Sequence, residues 1–215
     1  MRYADGVETE RLTFDGWIAA VGTESGTRVV VGHWPRSPFG SFSDVMVEHA
    51  DGWRTLLAPT SETAAYVSAV YHFDDVRRVA VKVVVRDGVW DVTAGPLDLR
   101  FSVGRRSALG WALRVVPRPL VRSPLWAAVA DVPARLMAGV RTTGSSRPGY
   151  RQWYAAGDLR PIVTARVRLG GTDLGPLAPV SPPVRFGFGS APATPALVRV
   201  VSTVEHQGPR RPLRN

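Results

Sequence analysis

The stretch Arg28-Val29-Val30-Val31-Gly32-His33-Trp34-Pro35-Arg36-Ser37-Pro38-Phe39-Gly40-Ser41-Phe42-Ser43-Asp44-Val45-Met46-Val47-Glu48 decides the fold. Arg28 to Trp34 is β-branched and reads as a strand. Pro35, Pro38 and Gly40 then set a stiff bend. Ser43 to His49 alternates, with Val45 and Val47 on one face and Asp44, Met46 and Glu48 on the other. Strand, bend, strand is an antiparallel unit. Asp44 stands just past the fixed bend, where a side chain can be aimed.

The same punctuation extends in both directions. Trp17 to Val21 is a short apolar run of either type, and Gly22 and Gly26 bracket the turn that follows it. Asp51-Gly52 makes a hairpin into Trp53 to Ala58. After Pro59 the period becomes helical, with Thr60 or Ser61 as cap and Ala64, Val67, Val70 and Tyr71 on one face, ending near His72. Val76 to Arg86 reads as one long strand with Val79, Val81, Val83 and Val85 on one face and Ala80, Lys82 and Val84 on the other; Asp87-Gly88 turns it into Val89 to Thr93, and Leu97 to Val103 alternates again. A helical insertion is expected at about 107–139, with pieces at Ala108 to Val116 and from Ser123, the second broken by Pro133. Thr142 to Gly149 is a loop. Tyr150 to Ala156, Pro161 to Leu169, Val184 to Ser190 and Ala196 to Glu205 return to strand character. Roughly nine strands without regular βα alternation predict a mainly β (α+β) fold, an antiparallel barrel-like or strongly curled sheet with a few short helices. One β-rich domain spans 1–205, and 206–215 reads as a disordered basic tail.

The chain has 215 residues, 27 basic and 18 acidic side chains and no cysteine, which excludes disulfides, thiolate metal sites and a cysteine nucleophile. Residues 1–99 carry a net −5, 100–151 a net +9 and 152–215 a net +5, so the basicity lies in the middle and the end. Met1 to Leu12 has no basic-then-apolar leader pattern, and no run approaches the ~18 apolar residues of a membrane span. A soluble, cytoplasmic protein is expected.

No phosphate-binding loop, dinucleotide fingerprint or nucleophile elbow is present. The four histidines, His33, His49, His72 and His206, lie on separate elements, so no metal is expected. No cofactor is expected either. Arg100, Arg105, Arg106, Arg114, Arg118 and Arg122 are interleaved with Leu109, Trp111, Leu120 and Trp126. That pattern fits a membrane-surface or lid element, an anionic gate, or an amphipathic insertion with solvated arginines. Nucleic acid is not an expected partner, because no recognition module accompanies the charge. Around Arg141, Arg151, Gln152, Trp153 and Tyr154 a polar and aromatic group fits a pocket mouth, or a strand whose Trp153 packs and whose Arg151 faces water.

The nonapeptide Ser37-Pro38-Phe39-Gly40-Ser41-Phe42-Ser43-Asp44-Val45 resembles the Ser-Pro-x-Gly-x-(Tyr/Phe)-x-Glu-Val turn of the acetoacetate decarboxylase-like superfamily. The order that follows is similar too: a strand at Trp53 to Ala58, a short helix, a basic pair at Arg77-Arg78, and a late segment from Gly175-Pro176-Leu177 through Val184-Arg185-Phe186. The resemblance implies a barrel-like fold and puts Asp44 where the family carries a catalytic glutamate. Arg77 and Arg78 stand where the family uses a Schiff-base lysine activated by a neighbouring cation. A guanidinium forms no imine, and Lys82, the one lysine, lies on the strand face opposite Val79, Val81, Val83 and Val85.

Two function classes follow. The first is a protein taking a small organic acid or ketide-like ligand, with Trp34, Phe39, Phe42, Glu48 and Trp153 lining the site. As an enzyme it would be a lyase or isomerase without an imine, with Asp44 as acid or base and Arg77 or Arg78 holding a carboxylate or enolate. As a binder, the same residues orient the ligand. The second is a peripheral protein that docks an anionic membrane or an acidic partner through residues 105–126. A homo-oligomer is compatible with both.

Overall fold

The structure, a computed structural model, describes residues 7–117, 143–187 and 191–209. In chain order the elements are β1 (Val7–Thr23), β2 (Arg28–Arg36), β3 (Phe42–Glu48), β4 (Arg54–Ala58), α1 (Ser61–Val70), β5 (Asp75–Arg78), β6 (Val81–Arg86), β7 (Val89–Ala94), β8 (Leu97–Val103), α2 (Ala108–Arg114), β9 (Thr143–Gly144), β10 (Tyr150–Leu169), β11 (Thr172–Asp173), β12 (Leu177–Ala178) and β13 (Ala196–Pro209). The strands join in one sheet of order β5-β4-β3-β2-β1-β13-β10-β8-β7-β6, with β9 and β11 added to β10 and β12 to β1. All pairs are antiparallel except β4 with β5, which α1 connects. The expected mainly β, strongly curled sheet is what the chain forms.

β10 makes the curl. Its first half pairs with β13 and its second with β8, and the register shifts between Ala156 and Asp158 and again between Ile162 and Thr164. Such bulges bend a strand and increase its twist. Pro161, which has no amide hydrogen to donate, sits between the two shifts, so the runs read as separate strands are one bent strand. The bend folds the half that contains β6 to β8 over the half that contains β1 to β4. Val29, Val31, Val45 and Val47 thereby meet Trp90, Val92, Leu97, Leu99 and Phe101 in the main core.

The opposite face of β1 to β4 is covered by α1 and by the segment around 180–187. Ala64 and Val67 of α1 pack on Leu56 and Ala58, and Val180, Val184 and Phe186 pack near Ala20 and Val30. A reciprocal cap starts α1: the Thr63 amide donates to Thr60 Oγ1 at 3.1 Å, and the Thr60 amide donates to Thr63 Oγ1 at 3.2 Å.

Two strand readings are corrected, and a run left open is a strand. Val76 to Arg86 is two strands, because β5 closes the edge beside β4 and the chain then crosses at Val79-Ala80, where the Val79 amide donates to Ala58 O at 2.9 Å. Val184 to Gly187 is not a strand: Glu48 takes the Arg185 amide and the His72 amide takes the Phe186 carbonyl, so no ladder forms. Trp17 to Val21 is the inner end of a much longer β1, which pairs with β13 from Val7 to Ala20. β13 continues to Pro209, four residues into the segment read as a tail. The expected helix from Ser123 and its break at Pro133 lie outside the described residues, as do Arg118, Arg122, Trp126 and Arg141.

Candidate functional site

Period-two alternation on β3 sends Val45 and Val47 into the main core and Asp44 to the face that α1 covers. The preceding turn is held by Ser37, whose Oγ donates to Gly40 O at 2.6 Å and accepts from the Phe39 amide at 3.0 Å. Gly40 adopts φ +76°, which favours glycine. Phe39 thus folds back over Phe42 and Tyr66, with ring centroids at 6.3 and 4.9 Å, and Phe14 completes an apolar wall.

Asp44 is 1% exposed. Across the ladder stands Gly32, and a Cβ there would lie 2.5 Å from both Asp44 Oδ1 and Trp34 Nε1. The missing side chain lets the Trp34 indole lie across the strand and donate to Asp44 Oδ1 at 3.0 Å. Oδ2 is buried without a partner among the described residues. Burial pushes the Asp44 carboxyl up to about 7, against the opposing pull of the Trp34 bond.

Two tyrosines reach this place from distant parts of the chain. Tyr71, at the C-terminal cap of α1, and Tyr154, on β10, share a hydrogen bond between their hydroxyls. Burial raises the proton affinity of both, Tyr154 to about 12, and the nearby Asp44 charge adds to the effect. Gln152, two residues from Tyr154 on the same strand face, is 1% exposed, and both of its amide atoms lack partners. Tyr66 Oη and Arg147 Nε are likewise buried and unpartnered, while Arg147 Nη2 donates to Tyr71 O at 2.9 Å. An unmet buried polar atom costs about 1–3 kcal/mol. Asp44 and Tyr66 both lie near Tyr71, and Arg147 is tied to the Tyr71 carbonyl.

The residues singled out in the sequence separate. Trp34, Phe39 and Phe42 stand with Asp44. Glu48 lies on the same face at the other end of β3, where it is fully buried and bound by Arg28 and Arg185, each at 3.0 Å. Trp153 points away from its neighbours Gln152 and Tyr154 and lies under the Arg11 guanidinium at 5.5 Å. Arg77 and Arg78 are exposed on the edge strand β5, engaged with Asp75 at 2.6 Å and Ser61 Oγ at 2.8 Å respectively. Arg78 shares the cross-strand row of Asp44 with Ala58 between them, about 10 Å away at ~4.8 Å per strand, but its head turns outward to Ser61. The structure does not bring either arginine to Asp44. Lys82 is exposed on β6.

Tyr66, Tyr71 and Arg147 were not foreseen as site residues. Tyr71 has helical spacing and reads as core; only the pairing of its ring with Tyr154 gives it another role. His33 hydrogen-bonds its cross-strand neighbour Ser43 at 2.8 Å. No three metal-ligating side chains converge among the described residues, and no helix there is long and apolar enough to cross a membrane.

The architecture defines a curled, largely antiparallel sheet with a buried carboxyl, phenol and amide group on its helix-covered face. The chain is similar to the crystal structure of acetoacetate decarboxylase from Legionella pneumophila, at 10% identity over 98% of this chain and 90% of that one, with a TM-score of 0.42. A second acetoacetate decarboxylase structure matches at 10% identity over 95% of this chain and 88% of that one, with a TM-score of 0.38. No family model and no curated protein matches the chain.

Proposed function

We propose that the Asp44 site binds a small, partly apolar organic acid or ketide-like molecule, and that Asp44 moves a proton to or from it. The observation that carries this reading is the buried Asp44 Oδ2, without a partner among the described residues, beside an aromatic wall. A ligand oxygen would meet Asp44 Oδ2, and the ligand's apolar part would lie on Phe39, Phe42 and Trp34. A carboxyl with proton affinity near neutrality is suited to general acid–base work. The anion-holding role given to Arg77 and Arg78 from the sequence passes to Arg147, and the exposure of Lys82 favours chemistry without an imine. The reaction class is a lyase or isomerase step at carbon next to a carbonyl.

Calorimetric titration with β-keto acids and 1,3-diketones of increasing chain length tests the binding. NMR in deuterated water tests proton exchange at the carbon between the carbonyls. Saturable binding, with exchange lost in Asp44→Asn, is expected. No binding by any member of either series refutes the reading.

A second reading, docking to an anionic membrane, draws on α2, where Trp111 and Val115 lie exposed one turn apart. Arg106, by contrast, is committed to Asp158 at 2.9 Å. Salt-sensitive co-sedimentation with anionic vesicles, lost in Arg114→Glu, is the outcome that would favour it.

A further inference from the structure

The hairpin between β3 and β4 lies at the end of β3 remote from Asp44. Asp51, Gly52, Trp53, Arg54, Asp74 and Arg185 line a cleft of about 300 Å³ there, at the small end of the range for ligand sites. Two of its four charges cancel: Arg54 Nε and Nη2 reach the Asp74 carboxylate at 2.9 and 3.0 Å, and the Arg54 amide donates to it at 2.9 Å. These bonds hold the Asp74 carboxyl down to about 2. The other two charges are not neutralised one for one.

Arg185 is one of them. Glu48 faces both Arg28 and Arg185, so the three together hold one positive charge in excess. Arg185 is anchored to Glu48 through its Nε at 3.0 Å and its amide at 2.7 Å, and its side chain is 68% exposed. Its guanidinium lies over Gly52, where a Cβ would collide with Nη2 and where φ is +90°. Its terminal nitrogens have no bonding partner among the described residues. The opposite charge is Asp51: Oδ1 accepts from the Trp53 amide at 2.9 Å, and no cation pairs with the carboxylate among the described residues. The Trp53 ring, 53% exposed, supplies the apolar surface.

The geometry points to a second ligand site, for a small zwitterion: an α-amino acid with an apolar side chain. Its carboxylate lies on the terminal nitrogens of Arg185, its ammonium on Asp51, and its side chain over Trp53. A simple anion or cation meets one attractive and one repulsive charge here, whereas a zwitterion meets two attractive ones. Because Arg185 is already pinned at two points, little side-chain freedom is lost when it grips a carboxylate. The inference does not depend on the Asp44 site.

The test is an NMR titration that follows the Trp53 indole signal, assigned by its loss in Trp53→Phe. L-Phenylalanine is the probe, with 3-phenylpropionate and phenethylamine as the probes lacking one charge each. The zwitterion is expected to bind at least about tenfold more tightly than either. Asp51→Asn keeps the acceptor for the Trp53 amide and removes the charge. It should bring phenylalanine down to the affinity of phenylpropionate and leave phenylpropionate no weaker. Absence of a saturable shift with phenylalanine, equal affinity for the three probes, or an unchanged affinity in Asp51→Asn would each overturn the assignment.

Discussion

Asp44→Asn removes one buried charge and keeps the side chain's shape, and the pH dependence of its effect follows from the site. Burial raises the Asp44 carboxyl from 3.8 to about 7. That is about three pH units, and at ~1.4 kcal/mol per unit the effect is on the order of 4 kcal/mol. The folded protein binds this proton more tightly than the unfolded chain does. Between about pH 4 and pH 7 the folded state therefore holds more protons, and stability falls as pH rises. The contribution is complete below the unfolded value and gone above the folded one. Asparagine has no such dependence, and its amide oxygen still accepts from Trp34. The variant should match the wild type near pH 4 and exceed it at about pH 8 by up to ~4 kcal/mol. Urea unfolding followed by tryptophan fluorescence at several pH values measures the gap. A gap that is constant with pH, or that closes as pH rises, refutes the reasoning.

Two further substitutions probe the same strand. Gly32→Ala drives a methyl group between Asp44 Oδ1 and Trp34 Nε1, each 2.5 Å from the added carbon; overpacking of this kind costs about 1–3 kcal/mol, read as a lower urea midpoint, and ligand binding at Asp44 should be lost with it. A cost below about 0.5 kcal/mol would mean that the indole is free to move aside. Glu48→Gln leaves Arg28, whose side chain is 3% exposed, without its carboxylate, and breaking a buried pair from one side costs about 3–5 kcal/mol; a loss under about 1 kcal/mol would show that Arg28 finds water instead.

Local chemistry made much of the fold legible. Thr60, Asp51-Gly52 and Asp87-Gly88 mark their cap and turns without help from the rest of the chain, and the alternation of β3 assigns its faces correctly. The failures lie where tertiary pairing decides. Nothing in Val76 to Arg86 says that its first residues close one edge and the rest open another, and Val184 to Gly187 has strand composition but gives its backbone to Glu48 and His72. The site divides in the same way. Asp44 follows from a stiff bend and Trp34 from its neighbouring strand. Tyr71, Tyr154 and Arg147 meet because α1 ends beside the first half of β10, which no local pattern encodes.

Asp44 and Glu48 put the same principle on one strand. They are both buried carboxyl groups on the same face of β3, four residues apart, and alternation alone treats them alike. Glu48 meets two guanidinium groups and the Arg185 amide, so its oxygens are spent on fastening the late segment to the sheet. Asp44 meets one indole and keeps an oxygen unbonded among the described residues. A buried carboxyl surrounded by cations is a structural fastening, because removing either side leaves a bare charge. One whose donors are all neutral holds a proton it can exchange near neutral pH. Which of the two is the candidate for chemistry is therefore decided by partners that arrive from residues 28, 34 and 185, not by the carboxyl or by its place on the strand.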